Sequence, residues 1–190
     1  KVIMNNSNIV VEYLLNAGNI ELNNTTLKVN DGFRVSGRTA EETQDVIGTA
    51  TIDLVNSTVI VDNMNGMPIG YKGIGIMNID ENSTLQCLRD YGVDPNGTMN
   101  IAGTVIIAEG KKLTNNGIMN INSGNVSVTS IVNAGTINVT GASVLSATVT
   151  GEGSVNMNDV ALAETTNFVA NNINFAGENG NSITGAKIEA

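Results

Sequence analysis

The sequence predicts an all-β protein, a parallel β-helix (β-solenoid) of about nine coils with three short strands each, and three observations carry that prediction. Residues 113–121 (LTNNGIMNI) and 131–139 (IVNAGTINV) say the same thing twice, displaced by 18 residues (131 − 113). An apolar-x-apolar triplet recurs along the whole chain, at Val2/Met4, Ile20/Leu22, Ile52/Leu54, Met77/Ile79, Met99/Ile101, Met119/Ile121, Ile137/Val139, Val155/Met157 and Ile173/Phe175. Between triplets lie short period-two runs and turn residues rather than helical periodicity, which is how a stacked solenoid shows itself in sequence. A single coil cannot bury its inner face and gains a core only by stacking on its neighbours.

Because alternate side chains of a strand face opposite ways, the flanking triplet residues point inward and the middle one outward. The outward set, Glu21, Asp53, Asn78, Asn100, Asn120, Asn138, Asn156 and Asn174, forms a polar ladder along one face. It fits either a repetitive ligand such as a glycan or a face kept soluble. A second strand follows at Ile9/Val11, Leu27/Val29, Val59/Val61, Leu85/Cys87, Val105/Ile107 and Val126/Val128, and more weakly at Val144 and Leu162. A third is anchored by Leu14, Val46, Tyr71, Val93, Leu113, Ile131 and Val149, six residues before the next triplet.

Two residues before the triplet stands Gly18, Gly75, Gly97, Gly117, Gly135 or Gly153, read as the positive φ of a tight corner. Asn171 replaces it once, and Ala50 is the exception. Asn16, Asn115 and Asn133 precede that corner and predict a short amide ladder from coil to coil. The one helical signal is the capping-box pattern at residues 39–42.

Composition bounds the function. With 18 acidic and 9 basic residues the net charge is −9, which argues against nucleic acid or an anionic membrane as partner. An apolar content of 41% in strict alternation excludes an acidic disordered chain. No run of 18 apolar residues is present to make a membrane-spanning helix. The chain starts at Lys1 and neither end carries a polar cap, so it reads as a single solenoid segment of a longer protein, flanked by further coils. Cys87 stands alone in an apolar slot, which excludes an internal disulfide and predicts a buried thiol. The absence of His removes the commonest general base and metal ligand, and neither cofactor nor metal is expected.

Triplet spacings of 18, 32, 25, 22, 20, 18, 18 and 18 show where the repeat is interrupted. The extra residues are assigned to one corner, between second and third strands, at 30–45, 62–70, 88–92 and 108–112. Insertions at one corner of adjacent coils must touch, since coils rise by about 4.8 Å. They gather Arg34, Arg38, Lys72, Arg89, Lys111 and Lys112, interleaved with Glu41, Glu42 and Asp45, with Phe33, Tyr71 and Tyr91 as aromatic surface. Loops on a rigid scaffold are where binding residues concentrate, and these twelve form the candidate ligand site. The alternative is decoration that solenoids tolerate without consequence.

Catalysis is not expected. A glycosidase needs two opposed carboxyl groups, and adjacent Glu41 and Glu42 on a short helix face different ways. Residues 62–66 and 94–97 have oxygen-ligand composition but miss the full calcium-loop spacing and read as turns. The Asn-x-Ser/Thr sequons at Asn24, Asn56, Asn82, Asn96, Asn125 and Asn138 arise from an Asn- and Thr-rich composition.

The LTNNGIMNI and IVNAGTINV strings resemble the repeats of bacterial secreted β-helix proteins, the autotransporter passenger domains and filamentous-haemagglutinin-like adhesins. The resemblance implies a right-handed β-helix on a bacterial surface or secreted, anchored through a part outside this segment, and adherent to host or bacterial glycans or proteins. The expectation is therefore a virulence-type adhesin segment binding through the insertion corner. A passive stalk is the alternative, and a carbohydrate-active enzyme with a shallow cleft the third reading.

Overall fold

A computed structural model describes residues 1–37, 48–62, 68–162, 166–183 and 187–189, and these residues are all-β, with no helix among them. Nearly every strand pairs in parallel with the strand one coil away, giving the β-solenoid that the repeat implies. The helical signal at 39–42 and the third-strand anchor Val46 lie outside the described residues.

The triplets form the first row in unbroken register: Val2, Ile20, Ile52, Met77, Met99, Met119, Ile137, Val155 and Ile173 are successive partners. Nine described triplet strands thus bound eight turns. Leu22, Ile52, Met77, Met99, Met119, Ile121, Ile137 and Val155 are fully buried. A slip of one residue would turn each of these columns outward, so burial itself locks the register.

The second row is nearly as regular. Ile9, Leu27, Val59, Leu85, Val105, Val126 and Leu145 are successive partners, with Cys87 buried beside Val61 and Ile107. Here the sequence reading is one residue out: Val144 pairs with Asn125 and is exposed, while Leu145 takes the inward place. The corner before it is one residue longer than its neighbour, and Gly141 (φ 67°) absorbs the extra residue.

The third row departs most from expectation. The strand Thr26–Val35 runs straight from the second row into the third, so Phe33 pairs with Leu14 and Val35 with Asn16. Ile69, not Tyr71, bridges Val35 to Val93. Beyond it, Tyr91, Leu113, Ile131, Val149, Phe168 and Ile188 continue the row. The largest insertion therefore lies after the third strand, not before it. Val35 to Ile52 takes 17 residues where Asn16 to Ile20 takes 4, the chain leaving at Gly37 and returning at Gly48 as an antiparallel bridge. Shorter extensions precede the third strand, before Ile69, at 88–90 and at 108–111, and others follow it at 70–73 and 94–97, so the extra residues flank it on both sides.

The corner glycines also have a different reason. Gly75, Gly97, Gly117, Gly135 and Gly153 are absent from the positive-φ positions. What excludes a side chain is the adjacent backbone: a Cβ at Gly135 would sit 2.1 Å from the Gly117 carbonyl oxygen, and one at Gly117 2.3 Å from that of Asp94. At the first described coil this crowding vanishes, with nothing within 4 Å of Gly18, and Ala50 in the next coil carries its methyl fully buried. Left-handed φ falls instead mostly at the corner after the triplet, at Asn6, Asn24, Asn56, Ser123 and Asp159, four of them the Asn or Asp that adopt it most readily, with Gly70, Lys72 and Gly151 before the triplet. At the same corner Thr25 and Ser57, each following a left-handed Asn, and Ser83 and Ser143 are buried. Ser57 Oγ donates to Leu22 O or Val55 O and accepts from Thr25 N–H at 3.0 Å, while Ser83 Oγ accepts from Ser57 N–H at 2.9 Å. The sequons at Asn24, Asn56 and Asn82 thus spell a left-handed or turn residue, a buried hydroxyl and a strand start.

The expected short amide ladder exists between Asn115 and Asn133, where Asn115 Nδ2 donates to Asn133 Oδ1 at 2.8 Å. Asn16 is separate and donates to Thr51 O at 2.8 Å, because Val35, Ile69 and Val93 occupy the intervening coils. Asn115 Oδ1, facing the Val93 coil, is buried without a hydrogen-bond partner.

Candidate functional site

The residues expected to bind divide in three. Arg38, Glu41, Glu42 and Asp45 lie outside the described residues. Phe33 and Tyr91 correct the expectation of aromatic surface: both occupy inward positions of the third row, buried, with ring centroids 6.2 Å apart and planes 23° apart. The sequence reads them as loop because it anchors the third strand of their coils at Val46 and Val93. The Tyr91 hydroxyl is buried without a partner, and burial raises its pKa well above the ordinary phenol value, with Cys87 adding to the shift.

The remaining six are brought to the third row but not to one corner. Arg89 and Lys111 lie before the third strand, and Lys112 is its first residue, paired with Ser130. Arg89 Nε bonds Asp62 Oδ1 at 2.9 Å, and Lys112 N–H donates to Asp90 Oδ1 at 3.0 Å, so these insertions do contact one another from coil to coil. Arg34 is on the third strand, opposite Leu15, with its Nε buried and without a hydrogen-bond partner. Tyr71 and Lys72 sit after the third strand, the Lys72 ammonium 5.3 Å from the centre of the half-exposed Tyr71 ring. Residues 94–97 form a turn closed by Gly97 N–H to Asp94 O at 2.7 Å, and partial burial raises the Asp94 carboxyl above its ordinary value. A cleft of about 200 Å³ lies on this row beside Pro68, Asp90, Asp94 and Thr114.

The first row carries a second, larger feature. Asn78 Nδ2 donates to Asp53 Oδ1 at 2.6 Å, Asn100 to Asn78 and Asn120 to Asn100 at 2.7 Å each, and Asn138, Asn156 and Asn174 each to the preceding coil at 2.8 Å. This is the polar ladder read from the triplet centres, and it is one continuous chain of amides pointing the same way. At its other end Glu21 is held by Lys1 at 2.6 Å and by Asn23, which lowers its carboxyl pKa. An open groove of about 800 Å³ runs beside the ladder from Glu21 to Asn120, its far wall made by Asn23, Val55, Asp80, Ala102 and Asn122. The alternation of the triplets shows the ladder but not the groove, whose lining includes Ala102 two residues beyond the triplet centre Asn100.

Comparison of the chain with protein-family models, with curated proteins and with solved structures finds no match.

Proposed function

We propose that this solenoid is a non-catalytic recognition segment of a bacterial surface or secreted adhesin, contacting a host or bacterial glycan or protein through its third row. The observation that supports this reading is the concentration of the longer insertions on the two sides of one row in consecutive coils, while the first row keeps its register from Val2 to Ile173. Among the described residues, Arg34, Lys72, Arg89, Lys111 and Lys112 of an otherwise acidic chain fall there. Lys72, Lys111 and the partly paired Arg89 offer cations for carboxylate, sulfate or hydroxyl groups. With Phe33 and Tyr91 inside, recognition rests on charge and hydrogen bonds, with Tyr71 the remaining aromatic of the predicted set. A stalk that displays another domain is the second reading, favoured by that same unbroken first row.

The test is binding to immobilised glycans and whole cells beside the Lys72→Glu, Lys111→Glu, Lys112→Glu variant. Binding by the parent that falls about tenfold or more in a variant of equal melting temperature supports adhesion. Equal binding by both, or none by either, moves the assignment to the stalk.

A further inference from the structure

The groove beside the amide ladder is built on the part of the molecule that varies least. Each ladder amide has two N–H donors and an oxygen with two lone pairs, and the ladder uses one donor and one lone pair. Asn78, Asn100 and Asn120 are half-exposed, so each retains a donor and an acceptor for a ligand. Their spacing is one coil rise, about 4.8 Å, and from Glu21 to Asn120 the groove is about 19 Å long. The side chains are held by one another and lose little freedom on binding, which is the preorganisation that favours affinity.

Three features select the ligand. A donor and an acceptor on one amide match the hydroxyl group, which is both. Glu21, Asp53 and Asp80 along the groove, in a chain of net charge −9, exclude a polyanion. The straight ladder demands an extended chain whose repeat matches the coil rise. An extended peptide advances about 3.3 Å per residue and falls out of step with it. A β-1,4-linked pyranose chain advances by roughly one coil per ring, and Val55, 42% exposed, and Ala102 offer apolar surface to the C–H faces of such rings. We propose that the groove is a binding track for a linear, uncharged, β-linked polysaccharide, separate from the third-row surface.

The test is titration with a length series of β-1,4-linked glucose oligomers, read by the side-chain amide resonances of the ladder. The expected result is that shifts centre on Asn78, Asn100 and Asn120 and that affinity rises with each ring until the chain spans the groove, then levels. Ala102→Phe fills the groove without removing an amide and should abolish binding at unchanged melting temperature. Asn100→Asp replaces a donor by a charge and should weaken binding about tenfold. Absence of ladder shifts at millimolar oligomer, affinity independent of length, or shifts on the third row would overturn the proposal. So would undiminished binding by a folded Ala102→Phe variant.

Discussion

The first and third rows are built from the same strand grammar and differ in what a residue more or less does to them. Along the first row every triplet meets the next in register and the outward Asn side chains bond from coil to coil. An extra residue there would break an amide chain and reverse a buried column at once. Along the third row the strand is reduced at Ile69 to an isolated bridge, and the chain departs and returns through Gly37 and Gly48 without disturbing Val35 or Ile52. The difference teaches where such a fold admits novelty. A row locked in register by both its inner and outer faces stays fixed, and a row whose outer side makes only scattered bonds from coil to coil can be extended.

The sharpest way to break this contrast is to crowd the corner where coils approach most closely. Gly135→Val places a Cβ against the Gly117 carbonyl, which is backbone and cannot step aside, and should cost more than about 4 kcal/mol in denaturant unfolding. Gly18→Ala, where nothing lies within 4 Å, should change stability by less than about 0.5 kcal/mol. Next come the buried columns: Leu54→Ala and Ile121→Ala should each cost about 2–5 kcal/mol by opening a cavity. Melting equal to the parent would disprove the inward assignment. Asn100→Ala removes one ladder bond on each side and should cost about 1–3 kcal/mol.

Cys87 gives a chemical test of the same core. Burial raises its thiol pKa, so the native state holds its proton where the unfolded chain releases it. That contribution to stability is whole below the ordinary thiol value of about 8.5 and is lost as pH rises towards the folded value. Alkaline melting should be shallower in Cys87→Val than in the parent, and Cys87 should resist thiol reagents until unfolding. Parent and variant melting alike across alkaline pH, or rapid native labelling, would contradict its burial.

Period-two alternation was enough to read the first row to the residue, because each triplet reports one face and one register. The second row was equally legible until Val144, where a corner longer by one residue moved the inward place to Leu145. In the third row Leu14, Leu113, Ile131 and Val149 stand where the sequence puts them, and the reading fails in the coils between, because counting backward from a triplet misplaces the strand wherever residues are added after it. Phe33 and Tyr91 alternate correctly for burial, but the count placed them in loops. The corner glycines were found by position and misread in cause, since a residue's own sequence does not show the neighbouring coil's carbonyl. The groove was invisible for the same reason, being a space between columns rather than a residue.

The division of labour between rows is tested most directly by thermal unfolding of two variants side by side. One replaces residues 38–47 by a short Gly-Ser linker joining the paired Gly37 and Gly48, and the other carries Asn100→Ala with Asn120→Ala in the ladder. The account predicts that the first melts with the parent and the second several degrees lower. A linker variant that unfolds early while the ladder variant holds would contradict it, and would place the stabilising contacts in the third row.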